Sequence, residues 1–420
     1  MTPQLSQEHM AHVIERFYHY LRAQTITTEG NGRKFSGLVL NLSNPESRRS
    51  IGIGATSIGL SMYGLIANKV DRQALAKEMA DYILSKQLTN GSWTISSLVT
   101  HKKSLVYTTC FALQGLARFD YVGYTEHIQN GLDWLLQIEN EDGGWGLIPA
   151  QPSHVHSTSE VLYLFSLIKG TINQAVFLRA RNWLMMQRIE DTYWKDEHGT
   201  PSAFYTALAY RGLIVHGNFQ HDLRKTEEWL IEQLPQAPCR EDINYYIPIG
   251  KQHIIEPIAG FTRAAIFEAL TSDIYTDYNP AIEEEAKHIL RQQHPLGYWN
   301  CGKSSKEIPT FLNHYICVGL VNYTKYLQRR PEFTLISDLG RYSKLHPLSA
   351  TVIAIFFLIG VAFSAVHSTG IYEWVLFQIS NANEKFDKYS GIANLVGITS
   401  VFVFLFSLFY KFIIKRDRQQ

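Results

Sequence analysis

Apolar and polar positions along the chain form two alternating kinds of helical pattern. One kind is amphipathic and ends at a glutamine, as in "EHIQNGLDWLLQ" and "FLRARNWLMMQ". The other kind is apolar on every side, and its six copies align on a small residue followed by leucine, as in "YTTCFALQGLAR" and "FYTALAYRGLIV". An amphipathic helix buries one face, whereas a helix that is apolar all round must be enclosed. The pattern therefore predicts six helix pairs, with the apolar helices inside a layer of amphipathic helices.

A short motif recurs between the two helices of a pair. "QLTNGSW" ends at Trp93 and "QHPLGYW" ends at Trp299 with the same spacing of Gln, Gly and Trp, and looser copies end at Trp145 and Trp194. Trp93, Trp145 and Trp194 follow one another at intervals of about fifty residues, a period typical of repeat architectures. The larger gap before Trp299 indicates one copy without its motif, which we expect near Gln233.

A closed ring is the arrangement that we expect for these pairs. A helix over residues 9–21 would supply the first outer member, and about 330 residues in six pairs match one compact domain. An open solenoid is the alternative, but the pattern contains no polar capping repeat. The predicted fold class is all-α: an (α/α)6 toroid over residues 1–335, a basic linker over residues 336–346, and a C-terminal segment over residues 347–420.

The C-terminal segment contains two apolar stretches, residues 347–366 and 395–414, each about as long as a bilayer core requires. Basic residues precede the first stretch and follow the second, for example Arg341 and Lys415. By the positive-inside rule, both termini and the toroid face the cytoplasm. We therefore predict an integral membrane protein with two transmembrane helices, whose hairpin could also join copies into a homo-oligomer. Helices buried in a soluble protein are the alternative interpretation.

Composition limits the partners and the redox chemistry. The chain has 39 Lys and Arg against 38 Asp and Glu, a net charge of +1, and so lacks the basic excess of a nucleic-acid-binding protein. We expect no nucleic-acid partner. The four cysteines are scattered, without a CxxC pair or a zinc-type Cys/His grouping, and we interpret them as ordinary thiols in a reducing compartment. They are Cys110, Cys239, Cys301 and Cys317.

The Gln, Gly and Trp spacing, the "DGGWG" turn and the following "QPSHVHSTSEVLYLFSL" resemble the QW repeats of squalene and oxidosqualene cyclases. Related repeats occur in the β subunits of protein prenyltransferases. The resemblance covers residues 1 to about 330. It implies an (α/α)6 toroid with a central cavity, which holds an isoprenoid chain in the enzymes.

The residues that carry the chemistry of these families differ in this chain. The cyclases protonate an alkene with the middle Asp of a DxDDTA motif. That motif falls on residues 154–158, "HVHST", which contain no aspartate. The prenyltransferases hold zinc through Asp, Cys and His on inner helices, and the place of the histidine falls on Thr108. The sequence therefore predicts neither a metal nor another cofactor.

Comparison of the repeats within the chain identifies candidate site residues. Glu160 and Arg263 are charged at a position where the other inner helices are neutral, and a buried charge is costly unless it is paired or solvated. They are expected to pair in the ring or to contact a polar ligand group. In the register set by the small residue and leucine, the copies of this position are Ile58, Thr109, Glu160, Thr206, Arg263 and Asn313.

Glu160 has further interpretations. "STSE" has the form of a capping box with Ser157 as N-cap, and His154 and His156 would then lie in an exposed loop. Alternatively, His154, His156 and Glu160 act together as catalytic groups or as metal ligands, and we take them as the candidate catalytic residues. Aromatic side chains of the inner helices could stabilise cations or simply form the core. The candidate ligand-binding residues are Tyr107, Thr109, Tyr163, Tyr205, Thr206, Arg263 and Asn313.

Three functions fit these observations. The first is a membrane-anchored, non-catalytic or divergent toroid that binds a small amphipathic ligand such as an isoprenoid or another lipid. The second is an isoprenoid cyclase or transferase with a rearranged acid. The third is a two-span membrane effector, triggered by a ligand or partner, as in bacterial antiviral defence. The insertion "CREDINYYIPIGKQHIIE", interpreted as a long irregular loop, could gate the ring in any of them.

Overall fold

The structure, a computed structural model, describes residues 7–30, 32–43, 51–67, 70, 72–101, 103–168, 173–216, 220–272, 279–302 and 305–327. The chain divides into two units, Met1–Phe333 and Thr334–Gln420, and all described residues belong to the first. The predicted linker and both predicted spans lie outside the described residues. Within the described ranges, no helix combines the length and the apolar character needed to cross a bilayer.

Twelve of the described helices alternate between an outer and an inner layer. The outer helices are α1 (Gln7–Gln24), α3 (Lys77–Ser85), α6 (Thr125–Gln137), α8 (Gln174–Met186), α10 (Gln220–Gln233) and α12 (Pro280–Gln292). The inner helices are α2 (Ile53–Ile66), α5 (Val106–Asp120), α7 (Val155–Leu167), α9 (Ala203–Ile214), α11 (Thr262–Ser272) and α13 (Thr310–Leu327). A π-helical turn, Arg72–Ala76, precedes α3, and the short helix α4 (Ser96–Val99) lies in the loop before α5.

The inner helices form a closed ring. Each packs against the next inner helix along the chain, and α13 packs against α2. Backbone hydrogen bonds join the two ends of the ring: Leu42 N–H donates to Ile308 O at 3.0 Å, and Thr310 N–H donates to Leu40 O at 3.0 Å. The predicted first outer helix is present as α1. The toroid is therefore confirmed over the open solenoid for the described part of the chain.

The recurring tryptophan fastens each loop to both of its helices. The indole Nε1 of Trp93 donates to Ile83 O of the outer helix α3 at 2.7 Å, while its backbone N–H donates to the Thr109 hydroxyl of the inner helix α5 at 3.0 Å. Trp299 repeats the arrangement with Ile289 O and the Asn313 side chain. Because all four loop tryptophans are buried, these bonds are shielded from water.

The glycine and glutamine of the motif join one pair to the next. Gly91 has φ +88°, and a Cβ there would lie 2.2 Å from the carbonyl oxygen of Asn130 in α6. Gly297 has φ +104°, and its Cβ would lie 2.3 Å from the carbonyl oxygen of Arg16 in α1. Only glycine allows both the backbone conformation and the close approach. Gln293 also bonds Val13 O of α1 at 2.9 Å, so the last motif closes the ring.

The predominantly helical architecture is confirmed, but two β-hairpins that the sequence analysis did not predict interrupt the helices. The first pairs β1 (Ile26–Gly30) with β2 (Arg33–Gly37). The second pairs β3 (Glu241–Ile249) with β4 (Gln252–Gly260), where we expected an irregular loop. In β3, Tyr245 and Ile247 are buried and their neighbours are exposed, the alternation of a strand with one buried face. We call residues 241–260 the lid.

The cysteines also differ from the expectation. Cys110 and Cys317 are buried free thiols, but Cys239 and Cys301 form a disulfide with their Cα atoms 5.5 Å apart. The two are 62 residues apart in sequence, and spacing alone does not reveal such a pair. Cys239 lies where the tryptophan motif is missing after α10, as predicted near Gln233, and Cys301 follows the last motif tryptophan.

Candidate functional site

In the structure, equivalent positions of the six inner helices are identified by the first hydrogen bond of each helix. The small residue followed by leucine, on which the sequence alignment was based, does not mark equivalent positions in all six. The N-cap carbonyl of each accepts the N–H of the residue four positions later. The residues at that position are Thr56, Thr109, Thr158, Thr206, Ala265 and Asn313. Three members of the predicted set are therefore correct, while Ile58, Glu160 and Arg263 are each displaced by two residues. In α2 and α7 the small residue used for the alignment lies two positions later, because Met62 and Leu164 occupy the place at which α5, α9 and α13 carry glycine. In α11 it lies two positions earlier, because Thr271 occupies that place.

The correct register explains the polar side chains at this position. Thr109, Thr158 and Thr206 each accept a hydrogen bond at 3.0 Å from the backbone N–H of a loop tryptophan, and Asn313 accepts one at 2.9 Å. The structure thus uses Thr109, Thr206 and Asn313, which we predicted to bind ligand, to hold the tryptophan loops.

Arg263 lies away from the ring interior. Its guanidinium forms two hydrogen bonds, of 2.8 and 2.6 Å, to the carboxylate of Glu285 on the outer helix α12. The predicted pairing of Arg263 with Glu160 is therefore wrong. The physical reason is helical periodicity: a shift of two residues moves a side chain to the opposite part of the helix.

The lid reaches into the ring through Tyr245. Its hydroxyl lies 2.5 Å from His156 Nδ1 and 3.2 Å from the hydroxyl of Tyr205, near the start of α9. The ring of Tyr107, from α5, stacks on His156 at 5.4 Å. Outside this contact, Ser97 of α4 donates to Glu256 of β4 at 3.3 Å. The lid therefore covers the end of the ring at which α5, α7 and α9 begin.

His154 and His156 have different partners. His154 is the N-cap residue of α7, and its Nε2 lies 2.9 Å from Glu197, which also accepts a hydrogen bond from Tyr205. The predicted cap at Ser157 is wrong, because Ser157 lies inside α7. His156 is buried in that helix rather than exposed in a loop. Since the two imidazoles face different partners, they do not converge on a common ion.

Burial controls the titration of this end of the ring. It lowers the pKa of His156 to about 3, and the charges of His154 and Arg211 act in the same direction. Burial also raises the pKa of Tyr245 and of Tyr205. For Glu197, burial opposes ionisation, but hydrogen bonds from His154 and Tyr205 outweigh it and lower the pKa to about 2. The group is therefore a neutral imidazole and two neutral phenols beside one carboxylate.

A second polar group lies deeper, midway along the inner helices. Arg211 of α9 is 2% exposed and forms ion pairs with Glu160 of α7 and with Glu268 of α11, both fully buried. Its contact with Glu268 is 3.0 Å. Gln114 of α5 donates to the second oxygen of Glu160 at 2.9 Å. We call Glu160, Arg211 and Glu268 the buried charge cluster.

Aromatic and basic side chains surround the buried charge cluster. The guanidinium of Arg211 lies 4.1 Å from the ring centre of Tyr163, an arrangement favourable for a cation–π contact. Arg118 donates to the Tyr163 hydroxyl and, at 2.6 Å, to Ser61. His314 of α13 is buried nearby, and burial together with the charges of Arg118 and Arg211 lowers its pKa well below the usual value.

The cluster is held together by its own charges. Burial favours neutral Arg211, yet Glu160 and Glu268 outweigh it and raise the pKa of Arg211 further. For Glu268, burial raises the pKa, while Arg211 and Arg118 oppose the shift. A buried ion pair is stabilising only when its remaining polar atoms are satisfied. Gln114 and Tyr163 supply further contacts to the two carboxylates, while Arg211 Nε is buried without a hydrogen-bond partner among the described residues.

The structure brings together six of the predicted site residues: His154, His156, Glu160, Tyr107, Tyr163 and Tyr205. It adds Arg211, Glu268, Tyr245 and Glu197, which the sequence analysis missed. Arg211 and Glu268 were detectable by the rule that identified Glu160, because each is a charge on an apolar inner helix. Among the described residues, no group of three potential metal ligands is arranged to hold an ion.

His156 and His314 are buried with lowered pKa values, so we expect the folded state to lose stability in acid. Because the folded pKa of His156 is about 3, below the ordinary 6.5, the unfolded chain binds its proton first as the pH falls. The free energy of unfolding should therefore change little between about pH 7 and pH 8 and decrease below 6.5, by about 1.4 kcal/mol per pH unit for each such histidine. Urea unfolding between pH 7.5 and pH 5 measures this slope.

The control for this prediction is His198, an exposed histidine. His156→Gln should reduce the slope by the contribution of one proton, whereas His198→Gln should leave it unchanged. Equal slopes for wild type and His156→Gln would contradict the expected burial of a neutral imidazole.

The comparisons with known proteins agree with this architecture. Residues 53–205 match the family model described as the squalene-hopene cyclase C-terminal domain. The squalene–hopene cyclase of Zymomonas mobilis is 30% identical over 154 residues, which are 32% of this chain and 22% of that enzyme. The chain thus spans less than a quarter of the length of that relative.

Solved structures share the fold at low sequence identity. A variant of the type II terpene cyclase MstE from Scytonema, in complex with geranylgeranyl dihydroxybenzoate, has a TM-score of 0.51 at 14% identity, covering 76% of this chain and 97% of that chain. A family 76 glycoside hydrolase from a bovine Bacteroides thetaiotaomicron strain has a TM-score of 0.52 at 12% identity, covering 77% and 78%. The fold is therefore of the terpene cyclase type, but it also occurs with other chemistry and does not identify the function.

Proposed function

We propose that this protein is a membrane-anchored toroid that binds a small amphipathic lipid, such as an isoprenoid, under its lid without cyclising it. The two apolar stretches after residue 346 would anchor it, with the toroid in the cytoplasm. The ligand's chain would contact the aromatic side chains below the lid, and its polar end would approach the buried charge cluster.

The observation that carries the proposal is the position and protonation state of His156. It stands where the resemblance to cyclases places the acid that protonates an alkene, a reaction that requires a strong neutral acid. With a pKa of about 3, His156 is unprotonated near neutral pH and offers no such proton. Its Nδ1 instead contacts Tyr245 of the lid. The residue that would do chemistry in a cyclase therefore helps to close the lid here.

The proposal predicts retention of an unchanged lipid. The full-length chain would be incubated with geranylgeraniol and examined by native mass spectrometry, with the extracted lipid analysed by chromatography. We expect one geranylgeraniol per chain, recovered without isomerisation. Failure of the wild type to retain it would refute the proposed binding, and recovery of a cyclised isomer would refute the absence of catalysis.

Two adjacent tyrosines provide a matched pair of variants. Tyr245 is 1% exposed and bonded within the ring, whereas Tyr246 is 54% exposed on the outer face of the lid. Tyr245→Phe removes hydrogen bonds worth about 1–2 kcal/mol, which corresponds to release of the lipid about 5–30 times faster. Tyr246→Phe should release it at the wild-type rate.

One observation favours the enzyme as a second candidate. Burial raises the pKa of Glu268, so that this carboxyl group is more easily protonated than an exposed glutamate. A rearranged acid at this position would protonate a substrate in the ring. If a cyclised product is recovered, Glu268→Gln should abolish it, and persistent product formation would exclude Glu268 as the acid.

A further inference from the structure

The disulfide fastens the base of the lid. Cys239 lies two residues before β3 and Cys301 lies two residues after Trp299, in the loop that joins the last tryptophan to α13. The link therefore runs from the start of the lid to the last motif of the ring. It ties the lid to a loop that the Trp299 hydrogen bonds already hold in place.

The other contacts of the lid are non-covalent. Arg240 donates to Glu307 at 2.5 Å beside the disulfide, but both side chains are substantially exposed, and such pairs contribute little. Ser97 donates to Glu256 at 3.3 Å. Inside the ring, Tyr245 contacts His156 and Tyr205. These contacts can break and reform during opening, whereas the covalent link cannot without reduction.

The two cysteines of the disulfide are also the more accessible of the four cysteines. Cys239 and Cys301 are both partly exposed, so a reductant can reach them. Cys110 and Cys317 are buried, and burial raises the pKa of each thiol, which suppresses the reactive thiolate. The four cysteines of the chain thus divide into one reducible pair and two inert thiols.

We propose that the Cys239–Cys301 disulfide is a redox-sensitive latch that limits opening of the lid and thereby controls access to the ring. This regulation rests on the proposed lipid-binding function. A dithiol reductant attacks one sulfur and breaks the S–S bond. The second reductant thiol then displaces the mixed disulfide, so that the two protein sulfurs end as thiols and the reductant is oxidised to its own disulfide. Two electrons and two protons pass to the protein, and the lid is then held only by its non-covalent contacts.

Alkylation tests for the latch in the full-length chain. Native protein treated with iodoacetamide should take up no alkyl group. After mild reduction with dithiothreitol it should take up two, at Cys239 and Cys301. Alkylation of both residues before reduction would overturn the proposal, because the latch would not be formed.

Hydroxyl-radical footprinting tests whether the latch controls the lid. Reduction should increase oxidation of Tyr245 by about tenfold, as expected if local opening becomes frequent, and leave that of the exposed Tyr246 unchanged. The Cys239→Ser, Cys301→Ser variant should show the reduced pattern without dithiothreitol, and Cys110→Ser should behave as wild type. Unchanged oxidation of Tyr245 after reduction would overturn the proposal.

The same samples separate the two proposals. Faster release of geranylgeraniol on reduction, together with exposure of Tyr245, supports both. Exposure of Tyr245 in a protein that never retains geranylgeraniol refutes lipid binding and leaves the latch as a property of the lid. Lipid retention with no effect of reduction on Tyr245 or on release refutes the latch alone.

Discussion

Replacing Arg211 with methionine should lower the free energy of unfolding by about 3–5 kcal/mol, because Glu160 and Glu268 would remain buried without their common cation. Both carboxylates are fully buried, so water cannot replace the lost contacts. Urea unfolding of the full-length chain, followed by tryptophan fluorescence, measures the effect, and failure of the variant to accumulate in a folded form would agree with it.

Two further variants show whether the charge is responsible. Adding Glu160→Gln and Glu268→Gln to Arg211→Met should recover part of the loss, since the unpaired charges are then removed. Arg224→Met breaks an exposed pair with Glu228 and should change little. If Arg211→Met is no more harmful than Arg224→Met, the cluster does not stabilise the ring in the way that its geometry indicates.

Replacing Trp299 with alanine should cost about 3–5 kcal/mol, since it leaves a large cavity at the junction that closes the ring. The indole donates to Ile289 O at 2.8 Å and packs against Phe17 of α1, with ring centres 5.4 Å apart. The variant should therefore also loosen α1. Urea unfolding measures the first effect, and limited proteolysis near α1 measures the second.

Trp229 is the matched control, because it is a partly exposed tryptophan of the outer helix α10 that contacts Tyr193. Trp229→Ala removes less buried surface and should cost less than about 2 kcal/mol, with no change in cleavage near α1. Equal costs for the two variants would contradict the assigned role of the motif tryptophan.

The helix pairs and their closure into a ring were predictable because most repeats carry a short motif between the outer and the inner helix. The spacing of Gln, Gly and Trp is a local signal, and it reports local contacts: Gln87 bonds Gly91 O in its own turn and His127 O of the next outer helix. Repetition of such a signal gives the number of pairs. The lid also carried a local signal, since Tyr245, Ile247 and Ile249 occupy alternate positions, a spacing typical of a strand with one buried face.

The site was harder to predict, because its contacts depend on the angular position of each side chain. An alignment on leucine placed Glu160 beside Arg263, and an alignment on the N-cap places it two residues further along, where it meets Arg211. The disulfide depends on a contact between residues that are 62 positions apart. Local periodicity does not distinguish two helix alignments that differ by two residues, and it does not show which distant residues are in contact.

The junction at which the last tryptophan motif contacts α1, which we call the seam, also restricts the number of helix pairs that the ring can contain. Gln293 and Gly297 contact α1 in the same way that Gln87 and Gly91 contact α6, so the seam is chemically equivalent to an internal junction. An open array can gain or lose one copy at its end, but a seventh pair here would alter the angle between every neighbouring pair. Insertions in related chains are therefore expected in loops, as in the lid, while the number of pairs stays fixed.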